Sequence, residues 1–165
     1  MFTIKDKVKI VLEETAYCPE TGHLFWSKKR SGRRKGPIGN NKGDYIQLYI
    51  TNLGKSFTIY AHVAAYIHIT KEYPSSPIDH INRNGTDNRW VNLRPSTNSQ
   101  NSMNRGRREN ISGYKGVSRN GLKWVARVTK DRVTTYLGTF ESKKEASKAY
   151  KEASKRLFGE FYNES

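Results

Sequence analysis

A polar stretch between Ser102 and Ser112 most limits how this chain can fold. It consists largely of Ser, Asn, Arg and Gly, and its apolar side chains are Met103 and Ile111. A segment with so little to bury is typical of a connector between domains. The low mean hydropathy of −0.85 also argues against one large core in this chain. The sequence therefore predicts an N-terminal domain over residues 1–101, a basic linker over 102–112 and a C-terminal domain over 113–165.

Positive charge is spread along the whole chain. The 30 Lys and Arg residues outnumber the 15 Asp and Glu residues, which gives a formal net charge of +15. Such an excess favours a polyanionic partner. No apolar run approaches the roughly 20 residues that span a bilayer, and the first residues lack a signal-like apolar region. We therefore expect a cytoplasmic protein with no membrane partner and no obligate protein partner.

The N-terminal part combines short helix and strand patterns. Apolar residues at helical spacing predict an amphipathic helix over residues 3–14. Runs of β-branched and aromatic residues over 23–26, 44–50 and 56–60 predict strands of one small antiparallel sheet. A dense apolar run that starts at Ala61 predicts a buried helix ending before Pro74.

A loop over residues 28–37 is rich in Lys, Arg and Gly. It is too polar for a core, so it is either simply solvated or bound to phosphate groups. On a chain with this charge we expect phosphate contact and an affinity that depends steeply on salt. The basic side chains expected to bind a nucleic-acid backbone, in this loop and in the linker, are Lys28, Lys29, Arg30, Arg33, Arg34, Arg105, Arg107 and Arg108.

The candidate chemistry begins at Asp79 and His80, which lie side by side on an apolar-flanked stretch. A turn rich in Asn and Gly over residues 82–88 predicts a hairpin that pairs 78–81 with 93–94. A carboxylate and amide oxygens suit a hard divalent cation such as Mg²⁺, while an imidazole can activate water. Cys18 is the sole cysteine, so a structural zinc with a Cys-x-x-Cys pair is not expected.

Two amides complete the candidate centre. Asn92 follows the predicted turn, and Asn101 lies on a helix expected to start near Ser96 or Thr97. A structural alternative is that the Asp79–His80 pair caps a helix or turn and that both amides are ordinary loop residues. Among the remaining histidines, His62 is expected to be packed and hydrogen-bonded, and the others receive no role.

Together these residues resemble the H-N-H nuclease family, especially its phage-type homing endonucleases. The resemblance covers roughly residues 20–105 and implies a ββα-metal core. By this resemblance, His80 is the general base and Asn92 braces the loop that orients it. Asp79 and Asn101 would be the ligands of a divalent metal, Mg²⁺ or alternatively Mn²⁺. The resemblance further implies DNA hydrolysis to 5′-phosphate and 3′-hydroxyl ends by a phage-encoded enzyme in a bacterial host cell.

The C-terminal part predicts three strands followed by one helix. Strand-like runs over residues 114–118, 123–129 and 134–140 are separated by short turns. A capping box at Ser142 and Glu145 then starts a helix whose inner face is rich in Ala. Alternation places Trp124, Ala126 and Val128 against this helix. The opposite, cationic face of the sheet is therefore free to enter the major groove of double-stranded DNA.

This pattern resembles the Apetala or ethylene-response-factor type of DNA-binding domain over roughly residues 112–163. The resemblance rests on the runs Tyr-Lys-Gly-Val at 114–117 and Tyr-Leu-Gly-Thr-Phe at 136–140, together with the Ala-rich helix. A purely structural interpretation leaves the outward strand residues solvated. The DNA-facing positions implied by the resemblance are Ser118, Asn120, Arg127, Thr129, Thr134 and Tyr136.

The sequence thus predicts an α+β protein in which a ββα-metal H-N-H core precedes a three-stranded antiparallel sheet packed on one helix. The predicted function is site-specific DNA cleavage by a divalent metal and a histidine base, as in a phage homing endonuclease. One alternative is a non-catalytic DNA-binding regulator on a degenerate nuclease scaffold. An RNA-directed protein is less favoured, because the sequence lacks a strand motif for aromatic stacking.

Overall fold

The computed structural model describes residues 2–27, 36–106 and 110–163 and shows a mixed α/β protein with antiparallel sheets. The chain divides into two compact units, Met1–Pro95 and Ser96–Ser165. This division lies ahead of the predicted linker, because Met103 joins the core of the second unit. The predicted backbone contacts that lie outside the described residues are Lys28, Lys29, Arg30, Arg33, Arg34, Arg107 and Arg108.

The first unit starts with α1 (Ile4–Glu14), as the helical spacing predicted. The Thr3 hydroxyl accepts a hydrogen bond from the Asp6 amide, and the Asp6 carboxylate accepts one from the Thr3 amide. This capping box satisfies donors that the first helical turn leaves unpaired. The buried face of α1 carries Ile10 and Val11 into the core of the unit.

Two separate sheets follow α1, whereas the sequence predicted one. Strand β1 (Thr15–Tyr17) pairs with β2 (Leu24–Trp26). Strands β3 (Asn40–Lys42), β4 (Tyr45–Asn52) and β5 (Lys55–Tyr60) form the other sheet in the order β3-β4-β5. The prediction was wrong in placing residues 23–26 in the same sheet as residues 44–50 and 56–60. The short strands β1 and β3 were missed because three residues are too few to show an alternating pattern.

Helix α2 (Ala61–Thr70) connects the larger sheet to the candidate site. Ala64 and Ile67 are fully buried in the core with Leu48 and Ile50 of β4. The helix ends where Lys71 adopts a left-handed backbone conformation, with φ of 64°. Lys71 lies three residues before Pro74, so the helix ends within the predicted limit.

A second buried side of α2 supports a short hairpin. Strand β6 (Ile78–His80) pairs with β7 (Leu93–Pro95), and a 3₁₀ turn (Trp90–Asn92) leads into β7. Ala65 of α2 packs with Ile78 and Leu93 in a small separate core. This hairpin is the one predicted around the Asn- and Gly-rich turn.

The second unit contains α3 (Asn98–Asn104), strands β8 (Val117–Asn120), β9 (Lys123–Lys130) and β10 (Val133–Phe140), helix α4 (Lys143–Phe158) and a final 3₁₀ turn (Gly159–Phe161). The strand order is β10-β9-β8, and α4 packs on this sheet. The predicted capping box is confirmed, since Ser142 accepts from the Glu145 amide. Three strands followed by one helix are therefore confirmed.

The central strand β9 departs from the predicted alternation at one residue. Ala126 and Val128 lie in the core beneath α4, as predicted. Val125 belongs to the opposite face, yet only 2% of its surface is exposed. Its cross-strand neighbours are Ser118 and Thr139, and a central strand is covered from both sides.

Among the described residues, no helix is long and apolar enough to cross a membrane.

Candidate active site

The β6–β7 hairpin brings the candidate residues of the first unit together. In its register Asp79 lies opposite Arg94, and His80 lies opposite Leu93. Both Asp79 and His80 are 5% exposed, so neither is an ordinary solvated polar residue. Buried titratable groups of this kind are held by partners or serve a function, and their partners are found in the loop and on β7.

Asn92 braces the loop between the two strands. Its Oδ1 accepts a hydrogen bond from the Asn82 amide at 2.9 Å. Its Nδ2 donates to Asn82 Oδ1 at 3.0 Å and to the Asp87 carbonyl at 2.7 Å. One buried side chain thus bonds both ends of the loop.

Asp87 adds a second brace on the outside of the loop. Its carboxylate accepts from Arg89 Nη2 at 2.6 Å and from Asn82 Nδ2 at 2.8 Å. The hydrogen bonds from Arg89, with that from Asn82, lower the pKa of Asp87 to about 2. The loop is also close to β4, because a Cβ on Gly85 would collide with the Asp44 carbonyl and the Tyr45 ring. These contacts leave the loop with one well-defined shape.

Asn88 is a buried partner of His80 that the sequence did not reveal. It is 1% exposed, and its Oδ1 lies 3.3 Å from His80 Nε2. Its Nδ2 donates to the Thr86 carbonyl at 3.1 Å, which orients the amide with its oxygen towards the imidazole. The Nε2 nitrogen must therefore carry the hydrogen, and in the neutral ring the lone pair is on Nδ1. An Asn in an Asn-rich turn gives no sequence signal that separates it from ordinary turn residues.

The environment of His80 favours its neutral form. Burial lowers the pKa of His80, and the hydrogen bond to Asn88 and the charges of Asp79 and Asp87 oppose this shift. The net direction is downward, so the imidazole is uncharged at neutral pH. An uncharged imidazole with one fixed tautomer is the form that accepts a proton from water.

Asp79 forms a buried ion pair with Arg94, its cross-strand neighbour. Arg94 Nε and Nη2 each lie 3.1 Å from Asp79 Oδ2. The side chain of Arg94 is 12% exposed, so this pair is largely removed from water. Arg94 had no predicted role, because the contact depends on a strand register that the sequence shows only approximately.

A hard cation fits the donor chemistry at Asp79, although the arginine competes for it. Mg²⁺ is bound by one or two carboxylates with amide oxygens, water and phosphate oxygens. Within residues 2–27, 36–106 and 110–163, no group of three or more His, Cys, Asp or Glu could hold a metal. An ion here would therefore need oxygen ligands beyond the carboxylate of Asp79, such as an amide or the phosphate itself.

Two further rings contact His80, and a third packs behind them. His62 meets its ring at 5.0 Å between centroids and 86° between planes, and Tyr45 lies 5.9 Å from it. Tyr60 stacks on His62 at 5.5 Å and 8°. We call Tyr45, Tyr60, His62 and His80 the aromatic cluster. The predicted packing of His62 is confirmed, but its buried Nδ1 has no hydrogen-bond partner in the described structure, contrary to the expected bonding.

Asn101 lies in the second unit, on the half-buried side of α3. That helix starts after Thr97, close to the predicted position, and Thr97 forms a capping box with Gln100. Its far end is held by Lys115, whose Nζ donates to the Met103 and Arg105 carbonyls at 2.6 and 2.9 Å. Asn101 is therefore carried by a helix that belongs to the core of the second unit.

The predicted DNA-facing residues of the C-terminal sheet are accessible. All six predicted positions are exposed: Ser118, Asn120, Arg127, Thr129, Thr134 and Tyr136. Arg105, at the end of α3, is exposed as well. Thr129 and Thr134 are cross-strand partners whose hydroxyls lie 2.9 Å apart. Arg127 and Thr129 also line a cleft of about 360 Å³ with α3. The sheet thus presents polar and cationic side chains on the side away from α4.

Comparisons with known proteins bear on part of the chain. Residues 60–103 match the HNH endonuclease family, and this segment contains Asp79, His80, Asn92 and Asn101. An uncharacterized HNH endonuclease of Acanthamoeba polyphaga mimivirus is 34% identical over 84 residues, which are 51% of this chain and 44% of that protein. The chain thus spans less than half the length of this relative.

A solved structure described as "DNA binding and cleavage by the HNH homing endonuclease I-HmuI" is also similar. It has a TM-score of 0.44 and 20% identity, and the likeness covers 87% of this chain and 77% of that one. The family match ends at residue 103, so the resemblance of the C-terminal part to ethylene-response-factor domains stays a prediction.

Proposed function

We propose that this chain is a metal-dependent DNA endonuclease in which His80 is the general base. The observation that carries the proposal is the buried, uncharged His80, whose tautomer Asn88 fixes, beside Asp79 on a hairpin braced by Asn92. This arrangement lies within the segment that matches the HNH endonuclease family. The reaction class is hydrolysis of a phosphodiester bond.

His80 supplies the proton acceptor. With the hydrogen on Nε2 directed at Asn88, the Nδ1 lone pair takes a proton from a water molecule. The resulting hydroxide attacks phosphorus, and the bond to the 3′ oxygen breaks. The departing 3′ oxygen takes a proton from solvent water, which leaves 5′-phosphate and 3′-hydroxyl ends. Asn92 keeps the loop in place, and with it the Asn88 amide that orients the base.

Asp79 and Asn101 are the proposed protein ligands of the metal. A bound Mg²⁺, or alternatively Mn²⁺, would neutralise charge on the phosphate and the departing oxygen. The carboxylate of Asp79 offers one anionic oxygen for it, and the remaining ligands are neutral. Arg94 also bonds this carboxylate and holds its orientation.

Double-stranded DNA is the proposed substrate. The net charge of +15 supports binding to the phosphate backbone, and the exposed face of β8–β10 offers side chains for a groove. The side chains proposed to contact the DNA backbone are Arg127 together with Lys28, Lys29, Arg30, Arg33, Arg34, Arg105, Arg107 and Arg108. A homing endonuclease of a phage, active in the cytoplasm of a bacterial host, is the biological setting proposed.

A non-catalytic DNA-binding regulator is the second candidate, and one observation favours it. Arg94 already neutralises Asp79, as a guanidinium would in a nuclease scaffold that no longer uses a metal. The two candidates differ in cleavage and agree in DNA binding.

Plasmid nicking separates the two candidates. Supercoiled DNA is incubated with the full chain in Mg²⁺, in Mn²⁺ and in chelator, and the His80→Ala and His23→Ala variants are compared. We expect metal-dependent nicking by the wild type and by His23→Ala, whose histidine is exposed and outside the site. His80→Ala is expected to lose nicking by about 10²–10⁴-fold while it keeps its DNA affinity. DNA binding without nicking in either metal would favour the regulator.

A further inference from the structure

His62 is a buried imidazole to which the proposed reaction gives no task. It is the second residue of α2 and is 9% exposed. Its Nδ1 is buried and, within the described part of the chain, accepts or donates no hydrogen bond. A Phe ring would fill the same space without burying a polar nitrogen, so packing alone gives no reason for an imidazole here.

The ring of His62 is held firmly by its surroundings. Tyr60 stacks on it almost in parallel, with 8° between the planes. Tyr45 meets it at 5.6 Å and 62° and also lies against His80. Ala61 and Ala64 on either side are buried in the core of the first unit, so the backbone that carries this ring is fixed as well.

The contact between His62 and His80 fixes the direction of the His80 ring. At 5.0 Å and 86°, the edge of one imidazole meets the face of the other, a geometry that is lost when either ring rotates. On its other side, His80 Nε2 bonds Asn88. The two contacts act at different points of the ring, so together they leave it one orientation.

The charge state of His62 is compatible with this contact. Burial, with a smaller effect of His80, lowers the pKa of His62 to about 4. His62 is therefore uncharged at neutral pH and does not repel a proton that moves to His80.

We propose that His62 is a positioning residue that holds the His80 imidazole in its reactive orientation through ring contact. This inference rests on the proposed role of His80 as the base. It predicts that a flat ring at position 62 is required and that the His62 nitrogen atoms are dispensable.

Two substitutions at position 62 distinguish the effect of a flat ring from the effect of side-chain volume. His62→Leu fills the space without a flat face, and His62→Phe keeps the ring and removes both nitrogens. We expect His62→Leu to lower kcat for plasmid nicking by about 10- to 100-fold, the range that misplacement of a catalytic group produces. The Kd for DNA in chelator should stay within about twofold of wild type. His62→Phe should recover kcat to within about threefold and raise Tm, because it removes a buried polar atom that lacks a partner.

Nitrogen-15 NMR of the imidazole of His80 gives a readout that needs no cleavage. In the wild type and in His62→Phe, we expect one tautomer with the hydrogen on Nε2. In His62→Leu we expect a mixture of tautomers, because a His80 ring that can rotate leaves its hydrogen bond to Asn88. His68→Leu is the matched control, since His68 lies on the same helix and contacts Thr15 and Tyr17 instead of His80. It should leave the His80 spectrum unchanged.

Two outcomes would overturn the inference. One is a His62→Leu variant that keeps both kcat and the single tautomer of His80. The other is a His62→Phe variant as impaired as His62→Leu in both measurements, which would assign the effect to a nitrogen atom. If the wild type cuts DNA in neither metal, the proposed function fails, and the tautomer of His80 in His62→Leu still decides whether ring contact orients it.

Discussion

Asn88 connects the conformation of a loop to the chemistry of one imidazole. Its amide is oriented by the Thr86 carbonyl, so its oxygen accepts from His80 Nε2. Asn88→Ala removes both hydrogen bonds within a buried site. We expect the free energy of unfolding to fall by about 1–3 kcal/mol, the cost of leaving buried polar groups unpaired. We also expect kcat to fall by about 10²-fold while the Kd for DNA changes little.

Denaturant unfolding and nicking kinetics measure these two effects. Asn84→Ala serves as the control, because Asn84 accepts hydrogen bonds from Thr86 in the same loop but is exposed. A normal kcat for Asn88→Ala, with the expected loss of stability, would show that Asn88 is structural only.

The pair of Asp79 and Arg94 illustrates how a buried charge depends on its partner. Arg94→Gln removes the guanidinium and leaves the carboxylate in a site that is 5% exposed. We expect a loss of about 3–5 kcal/mol in the free energy of unfolding in metal-free buffer. Asp79→Asn in the Arg94→Gln background should recover much of it, because the buried charge is then gone.

The matched control is an exposed ion pair in the second unit. Lys123 and Glu141 lie 2.7 Å apart but are 55% and 76% exposed, so Lys123→Gln should lower the free energy of unfolding far less than Arg94→Gln does. Equal stability of the Arg94→Gln single variant and the Asp79→Asn, Arg94→Gln double variant would contradict the expected coupling.

The site residues differ in how well a sequence can reveal them. Asp79, His80 and Asn92 could be proposed from the sequence because their residue types and spacing suit a known chemistry. Asn88 and Arg94 were not, since one is hidden in a turn full of similar residues and the other depends on strand register. The ring contact of His62 was missed for a related reason: it joins residues 62 and 80 across separate elements.

Helix α2 adds a pH dependence to the stability of the first unit. Its His68 has a partner in Thr15, whose hydroxyl lies 2.8 Å from His68 Nε2 and donates to the Val11 carbonyl. Burial, with a contribution from Lys71, lowers the pKa of His68 to about 4. In the unfolded chain a histidine titrates near 6.5, so between about pH 6.5 and 4 the unfolded state binds the proton and the folded state does not.

Stability is therefore expected to fall as the pH falls from about 6.5 to 4. His68→Phe removes one of the groups responsible, so its free energy of unfolding should decline less steeply over this window. Denaturant unfolding at several pH values in a metal-free buffer measures the slope. A slope equal to that of the wild type would mean that His68 is protonated to the same extent in both states.

The turn before β8 depends on a glycine for two separate reasons. Gly116 has φ of 69°, and a Cβ there would collide with the Tyr150 ring of α4. Gly121, with φ of 61°, has open space where a methyl group would lie. Gly121→Ala should thus cost about 1–2 kcal/mol of backbone strain, and Gly116→Ala clearly more, because it adds the clash.

Denaturant unfolding of the two variants reads out the difference between them. Gly116→Ala should also loosen α4, which near-ultraviolet circular dichroism of the Tyr150 environment can follow. Equal losses for the two substitutions would show that the sheet and helix can move apart at no cost.

Elements with a clear periodic pattern of apolar residues were predictable from the sequence, and elements without such a pattern were not. The pattern of α4, with Ser142 and Glu145 ahead of an Ala-rich face, specifies its start and its buried side. Strands β1 and β3 have three residues each and gave no pattern, which led to one predicted sheet instead of two. The burial of Val125 was missed because alternation describes one face and not the neighbours of a central strand.

Net charge is the property of the full chain that follows most directly from its sequence. The net charge of +15 requires no knowledge of the fold, whereas the division at residue 95 depends on which core Met103 joins. A protein that neutralises DNA phosphates releases bound counterions, so its affinity falls with salt in proportion to the number of contacts. The slope of log K against log salt therefore counts those contacts.

Arg127 and Arg105 offer a test of this count on exposed residues of the second unit. Each charge that contacts a phosphate should reduce the magnitude of the salt slope by about 1 when it is replaced with Gln. Arg127→Gln and Arg105→Gln are thus expected to weaken binding and flatten the slope by this amount. Lys9→Gln is the control, since Lys9 pairs with Glu13 on α1 and belongs to no predicted contact. Fluorescence anisotropy with a DNA duplex at several salt concentrations in chelator measures the slopes. An unchanged slope for Arg127→Gln would exclude the β9 face from the DNA interface. If Arg127 contacts a phosphate, that phosphate keeps its counterion when the variant binds, and the slope must change.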